Sequence, residues 1–405
     1  MGVQSARADS LSVAVLLTGL IAMGAISTDL YLPSLPAIGA AFGVAAAEVQ
    51  LTLSVFLVGF ACSQLICGPL SDRFGRRPVI LGGIALYLAA TLLCIAAPSI
   101  EVLITARFLQ ALGACVGPVL GRAVVRDVYG REGAAQVLSY MGMAMALAPA
   151  LGPIIGGYLQ VWFGWQANFG VLAAFALALF VAILAVLPET NRWPDPSATR
   201  PARLATTYLS LLRERSYIGY VMIVGFSYAG IFSFISGSSF VLIGLLGLTP
   251  DLYGYCFAAI VVGYMIGTFG SGRLTRRLGL ERMISLGGAV QCFGGLLGVV
   301  LYGAGFFSVV SIVGPVALFM IGAGLVLPNA QAGALGPFPK NAGSASALLG
   351  FCQMGFAALV GIAVGHGSGT SALPMMAAIA LVALGALMSY RLAVRRAKPL
   401  AQEAD

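Results

Sequence analysis

GPLSDRFGRRP at residues 68–78 and GRLTRRLG at residues 272–279 carry Gly, Leu, Arg and Gly at the same spacing, 204 residues apart. Each copy is a short arginine-rich turn bounded by glycines, which allow the chain to reverse tightly. Asp72 of the first copy is replaced by Arg276 in the second. A motif repeated in the same order predicts two similar parts in tandem, a layout found in secondary transporters that hold substrate between parallel halves.

Outward from both turns the sequence is apolar. Of 405 residues, 60% are hydrophobic and 9% charged, with a mean hydropathy of +0.98. Soluble domains carry about 25% charged residues, so this chain cannot cover a water-facing surface. Apolar runs lie near 11–36, 48–70, 79–98, 101–124, 134–160 and 167–187, then near 217–245, 251–273, 283–304, 306–329, 343–366 and 370–391. Each is long enough for a helix to cross a hydrocarbon core of about 30 Å, and none shows the dyad alternation of an outer-membrane barrel. An all-α integral membrane protein with twelve transmembrane helices follows. The first ten residues, MGVQSARADS, read as no cleavable signal, so the first run is expected to be retained. The seven cysteines all fall inside apolar runs and read as packing residues, with no metal site expected.

Basic residues orient the spans. Alternate connections, beginning with the N-terminus and ending with the tail, hold 21 of the 22 Lys and Arg, and the other connections hold none. Both termini and the long central segment are therefore expected in the cytoplasm. The net charge of +8 belongs to loops facing lipid headgroups and implies no nucleic-acid partner. The Pro- and Arg-rich segment 188–216 divides the chain into a six-helix half at 1–187 and another at 217–392, followed by a cytoplasmic tail at 393–405.

GPLSDRFGRRP resembles in full the loop signature of the major facilitator superfamily, G-x-L-x-D-R-x-G-R-R, and the two-half fold is what that resemblance implies. It also implies that Gly68, Asp72, Arg73, Gly75, Arg76 and Arg77 form a conformational latch, with Asp72 meeting the N-terminal end of span 11 at Ala342–Ser344 in the outward-facing state. A carboxylate is favourable at such a helix end. Asp127 in the next cytoplasmic loop is a candidate for the same network. The other reading of these arginines is simple anchoring in the headgroups.

LAPALGPIIGG at 147–157 resembles the superfamily's antiporter motif, G-x-x-x-G-P-x-x-G-G, with Ala148 in place of the first glycine. Its candidate residues are Pro149, Gly152, Pro153, Gly156 and Gly157; prolines bend the helix, and small residues four apart allow close approach. Ordinary tight packing is the other reading. STDLYLPSLP (27–36), RFLQALGA (107–114), RAVVRDVYGRE (122–132), GFSYAGIFSF (225–234) and AGSASALLGFCQ (342–353) narrow the resemblance to the bicyclomycin and chloramphenicol resistance (Bcr/CflA) group of drug:H⁺ antiporters.

Asp29 and Arg107 lie within spans of a chain that has almost no other buried charge. Counting from the outer ends of spans 1 and 4, both lie roughly 10–12 Å deep at 1.5 Å per residue. Such residues usually face a cavity or one another. Burial and a neighbouring cation pull a carboxyl's proton affinity in opposite directions. Asp29 is therefore the candidate proton carrier and Arg107 the group expected to tune it; a static structural pair, or an Asp reaching outside water, is the alternative. Gln110, one turn after Arg107, Tyr140, Met141 and Met145 in span 5, Phe226, Tyr228 and Phe232 in span 7, and Gln353 in span 11 are candidates to wall an amphipathic substrate pocket. Packing or lipid contact is the alternative for the aromatics. His366, the single histidine, reads as exposed.

The expectation is proton-coupled efflux of small amphipathic compounds such as antibiotics, by alternating access, in a protein that works as a monomer without cofactors. An exporter of a native metabolite, an amino acid or a siderophore, fits the same fold. A membrane enzyme is disfavoured because no catalytic cluster or soluble domain is visible, and a passive channel because of the two-half repeat.

Overall fold

A computed structural model describes residues 11–191, 193–338, 342–367 and 370–394, with side chains except at 11–12, 130–136, 138–140, 143–146, 201 and 203. Hydrocarbon offers the backbone no hydrogen bonds, so a spanning segment must satisfy its own, and a helix does so within a single segment. The described residues are helical almost throughout. Among the described residues eleven helices are long and apolar enough to cross a membrane, and the shorter apolar stretch Leu147–Phe163 stands where span 5 is expected. The chain is a multi-pass integral membrane protein.

Span 1 is helical over Leu11–Asp29, breaks at Leu30–Tyr31, and resumes through a 3₁₀ turn at Leu32–Ser34 and a helix at Leu35–Phe42. The break falls where Pro33 and Pro36 withdraw backbone donors. Spans 2 and 3 are Ala46–Phe74 and Arg76–Ile95. Helix is then assigned over Ile100–Ala114 and, after an interruption at Cys115, continuously over Val116–Phe163. This departs from the expected loop at 121–133. The long helix is nevertheless no straight rod. A methyl group on Gly117 would overlap the Leu20 carbonyl, and one on Gly156 would overlap the Leu30 carbonyl. Those carbonyls are about 15 Å apart along span 1, whereas 39 residues of straight helix span roughly 58 Å. The helix therefore turns back on itself, and spans 4 and 5 run antiparallel with span 1 lying along both.

Two compact units emerge. One comprises the chain up to Pro201 together with Ser239–Ala258, and the other comprises Ala202–Ser238 with the chain from Ala259. The helix Arg215–Ser239, which belongs to the second unit up to Ser238, passes into a π-helical end at Phe240–Leu245 that belongs to the first, as does the start of Pro250–Leu278; the second unit continues with the rest of that helix and with Leu280–Gly303, Val309–Leu335, Ala342–Gly365 and Leu373–Ser389. Most of the expected tail, 395–405, lies outside the described residues.

The two copies of the repeated turn adopt one geometry, each within its own unit. Gly75 (φ +99°, ψ 156°) donates its N–H to Ser71, and Gly279 (φ +79°, ψ 162°) donates to Thr275. Both angles lie in a region that is essentially glycine-only and costs a side-chain-bearing residue about 1–3 kcal/mol. The surroundings differ: a methyl group on Gly75 would strike the Glu189 carboxylate, while Gly279 has open space. Gly279→Ala is expected to lose about 1–3 kcal/mol of stability, and Gly75→Ala visibly more, because it also displaces Glu189. Thermal melts of the two purified variants test the order.

Candidate functional site

Three groups of residues carry the candidate chemistry, all within the first unit. The first is the signature turn. Asp72 and Arg76 form an ion pair at 2.6 Å, and Arg76 Nε reaches Asp127 at 3.2 Å. The first turn of span 3 leaves backbone N–H groups unpaired, as every helix start does. Here Glu189 fills them: its carboxylate accepts from the N–H of Arg76 at 2.8 Å and of Arg77 at 3.1 Å. Asn191 donates to the Ser71 and Asp72 carbonyls, the N–H of Asp195 donates to the Asp72 carbonyl at 2.9 Å, and Arg73 donates to Thr199 at 2.7 Å. Arg77 donates to the Leu184 carbonyl at 2.8 Å. The start of the central segment is thus folded onto the signature turn. The four residues that do this, Glu189, Asn191, Asp195 and Thr199, are not among the residues that sequence reasoning singles out. The available signal is an acid straight after an apolar run, in a chain with a cluster of unmatched arginines.

The second group is the antiporter stretch. Gly152 and Gly156 abut span 1: a methyl group on Gly152 would lie 2.9 Å from the Asp29 Cβ, and Gly156 meets the Leu30 carbonyl. Gly157 faces the Pro250 carbonyl and the Asp251 backbone, and a Cβ on Gly254 would lie 2.6 Å from the Ile154 Cα. These contacts bring backbone against backbone, where any side chain would force the helices apart. Pro149 and Pro153 lie within the helix.

The third group is buried and polar. Arg107 is fully buried and Asp29 is 5% exposed. The expected pairing between them is absent. Among the described residues the two salt bridges are those of Arg76. Arg107 instead donates to the Ser27 carbonyl at 3.2 Å and to Gln110 Oε1, while Gln110 donates to Thr91 at 2.7 Å. Its guanidinium lies 4.3 Å from the centre of the Phe56 ring and 4.8 Å from that of Tyr31, which favours a desolvated cation. The physical reason for the separation is local. The Tyr31 N–H bonds to the Thr28 carbonyl, leaving the buried Ser27 carbonyl without its helical donor at the end of a helix. A helix C-terminus attracts cations, so Arg107 caps span 1 in place of pairing with its last residue. The hydrogen-bond partner of Asp29 is Thr28, at 3.3 Å.

The pocket candidates scatter. Gln110 belongs to the Arg107 group and Met141 is buried in the first unit. The side chains of Tyr140 and Met145 lie outside the described residues. In the second unit, Phe226 packs against Phe356 with ring centres 5.1 Å apart, and Phe232 is buried. Tyr228 and Gln353 are half-buried. His366 bonds to the Ile362 carbonyl of its own helix.

This architecture is shared. The profile of the Major Facilitator Superfamily matches residues 15–362. The D-xylose-proton symporter crystal structure superposes with a TM-score of 0.70, at 15% identity, over 93% of this chain and 97% of that one. A bicyclomycin resistance protein homolog of Haemophilus influenzae is 31% identical over 91% of this chain and 93% of its own length. Multidrug resistance protein D of Escherichia coli is 31% identical over 86% of each chain, and a chloramphenicol resistance protein of Pseudomonas aeruginosa is 31% identical over 82% of this chain and 78% of its own. The chain belongs to the major facilitator superfamily of membrane transporters. Within it, these relatives agree with the bicyclomycin and chloramphenicol resistance group.

Glu189→Ala leaves two helix-start donors unpaired, a loss comparable to removing an N-cap, about 1 kcal/mol. Amide hydrogen exchange at Arg76 and Arg77 is expected to speed up roughly five-fold, with amides at the opposite end of span 3 unchanged.

Proposed function

We propose that this chain exports small amphipathic compounds, antibiotics among them, across the bacterial inner membrane in exchange for protons. Both termini and the signature turn face the cytoplasm on this reading, and the chain catalyses no covalent chemistry. The names of the relatives support the substrate class. The observation that carries proton exchange is the setting of Asp29. It is a buried carboxyl in a membrane span, 5% exposed, with one weak hydrogen bond and no ion pair among the described residues. An ionised carboxylate there is far costlier than the neutral acid, so gaining or losing a proton must accompany a change in what surrounds it. Such a group links protonation to conformation. Arg107 tunes the site through the end of span 1 rather than by direct pairing, and Asp72 acts as the latch that biases the conformational equilibrium.

Asp29→Asn keeps size and hydrogen bonding but removes the titrating proton. The protein is expected to insert and fold, because an amide is cheaper to bury than a charge. In proteoliposomes, efflux driven by an imposed proton gradient is expected to fall to the background rate while binding of a neutral substrate persists. Wild-type efflux by Asp29→Asn across pH 6–8 rules out the mechanism.

A further inference from the structure

The antiporter stretch and the candidate proton carrier touch, and the chemistry of the contact suggests why both are there. Gly152 lies against Asp29 so closely that even a methyl group at 152 would sit 2.9 Å from the Asp29 Cβ. Residue 153, next in the chain, is proline. Proline has no N–H, so the carbonyl four residues earlier loses its helical donor, and the ring pushes that carbonyl off the helix axis. The carbonyl concerned belongs to Pro149. Residues 149, 152 and 156 share one helix face by their spacing of three and four, and Gly152 and Gly156 place that face against Asp29 and Leu30. Spans 1 and 5 run in the same direction here, since Asp29 meets Gly152 and Leu30 meets Gly156. Helical side chains lean towards their own N-terminus, so the Asp29 carboxyl leans from the level of Gly152 towards that of Pro149.

We propose that span 5 provides the seat of the protonated Asp29: Gly152 makes room for the carboxyl, and the Pro149 carbonyl, released by Pro153, accepts the hydrogen bond of its proton. Thr28 Oγ1 lies 3.3 Å from Oδ1, and its one hydrogen has a nearer acceptor in the Ala25 carbonyl at 2.8 Å; the proton of the seated acid is placed on Oδ2. Only the neutral acid suits this seat. An ionised carboxylate facing a carbonyl oxygen has two acceptors opposed and no hydrogen between them, so loss of the proton separates span 1 from the antiporter stretch. Gly152 and Pro153 are then positioning residues, and the motif is tied to the proton step itself. The inference rests on reading Asp29 as the proton carrier.

The other titratable or charged groups on the packed elements are Tyr31 on the adjoining turn; in span 4 Glu101, Arg107 at the Ser27 carbonyl, Cys115 and Arg122; and in span 3 Arg76, Arg77, Cys94 and Tyr87, whose hydroxyl bonds Ser27 at 2.7 Å. In span 2 they are Glu48, Cys62, Cys67, Asp72 and Arg73. Among the described side chains of span 5 there is Tyr158, and in span 6 (Gln166–Val186) there is none.

The test is infrared difference spectroscopy on the purified full-length protein across a pH step, with efflux against pH measured in parallel. A carboxylic-acid C=O band lost in Asp29→Asn identifies Asp29. Pro153→Ala returns an N–H to the Pro149 carbonyl, and Gly152→Ala pushes the carboxyl away. Both are expected to move the Asp29 band to higher wavenumber, the mark of a weaker hydrogen bond, and to shift the efflux profile to lower pH, because the neutral acid has lost its acceptor. If one variant fails to fold, the other carries the test. A band and profile unchanged in the folded variants overturn the seat while leaving Asp29 as carrier, and so does a fall in stability with the band unmoved. If Asp29→Asn removes no band, the carrier reading fails and the seat falls with it.

Discussion

The absence of hydrogen-bonding solvent in the hydrocarbon is the constraint on which the rest of this structure depends. Every backbone polar group in a span must find a partner inside the protein, at a cost of several kcal/mol if it fails. Most do so through the helix. The informative places are those where helix fails: the end of span 1 at Asp29, and the two prolines of span 5. There the chain needs side chains or neighbouring helices to complete its bonding, and there the ionisable residues gather. Arg107 answers one such failure by donating to the Ser27 carbonyl.

Close approach of backbones is the second consequence. Between apolar helices in lipid there is no hydrophobic drive, so contact area and fit decide association. Span 1 is gripped along its length by glycines of one continuous helical stretch: Gly117 and Gly121 towards one end, Gly152 and Gly156 towards the other. Any movement of span 5 must therefore be felt at Asp29. Between spans 2 and 3, the signature turn is held by Glu189, Asn191 and Asp195 from the central segment, which converts a loop of like charges into a bonded structure.

Features fixed by composition and local pattern are legible in the sequence. Span length, the glycine turns at 75 and 279, and the close helix approach at Gly152 and Gly156 follow from apolar runs and residue spacing. The separate destinations of Asp29 and Arg107 do not. Equal depth predicts that two residues can meet, but depth says nothing of azimuth around each helix. A hydrogen bond from a side chain to a freed carbonyl has no sequence signature, because every residue owns a carbonyl. The meeting of Phe226 with Phe356 is unmarked for the same reason, since an aromatic on a helix carries no label for which neighbour it faces. Glu189 is silent in the sequence because its role depends on the chain folding back 113 residues to the start of span 3.

The separation of Asp29 from Arg107 changes how a proton signal travels. A direct ion pair would make each residue the other's counterion, and protonation would cost the whole of that pair. Here the guanidinium is balanced by a helix terminus and by the faces of Tyr31, Phe56 and Phe169, and the Ser27 carbonyl and the two phenylalanine rings do not titrate at all. Arg107 therefore loses no counterion when the carboxyl takes up its proton. What the two residues share is a piece of backbone: Arg107 holds the Ser27 carbonyl, and Asp29 is two residues further along the same fraying turn. Movement of the carboxyl away from span 5 pulls on that turn, and a pull on that turn strains the Arg107 cap. Coupling through a shared helix end is a mechanical link between a site that titrates and one that does not, and it gives a buried arginine without a carboxylate partner a reason to be where it is.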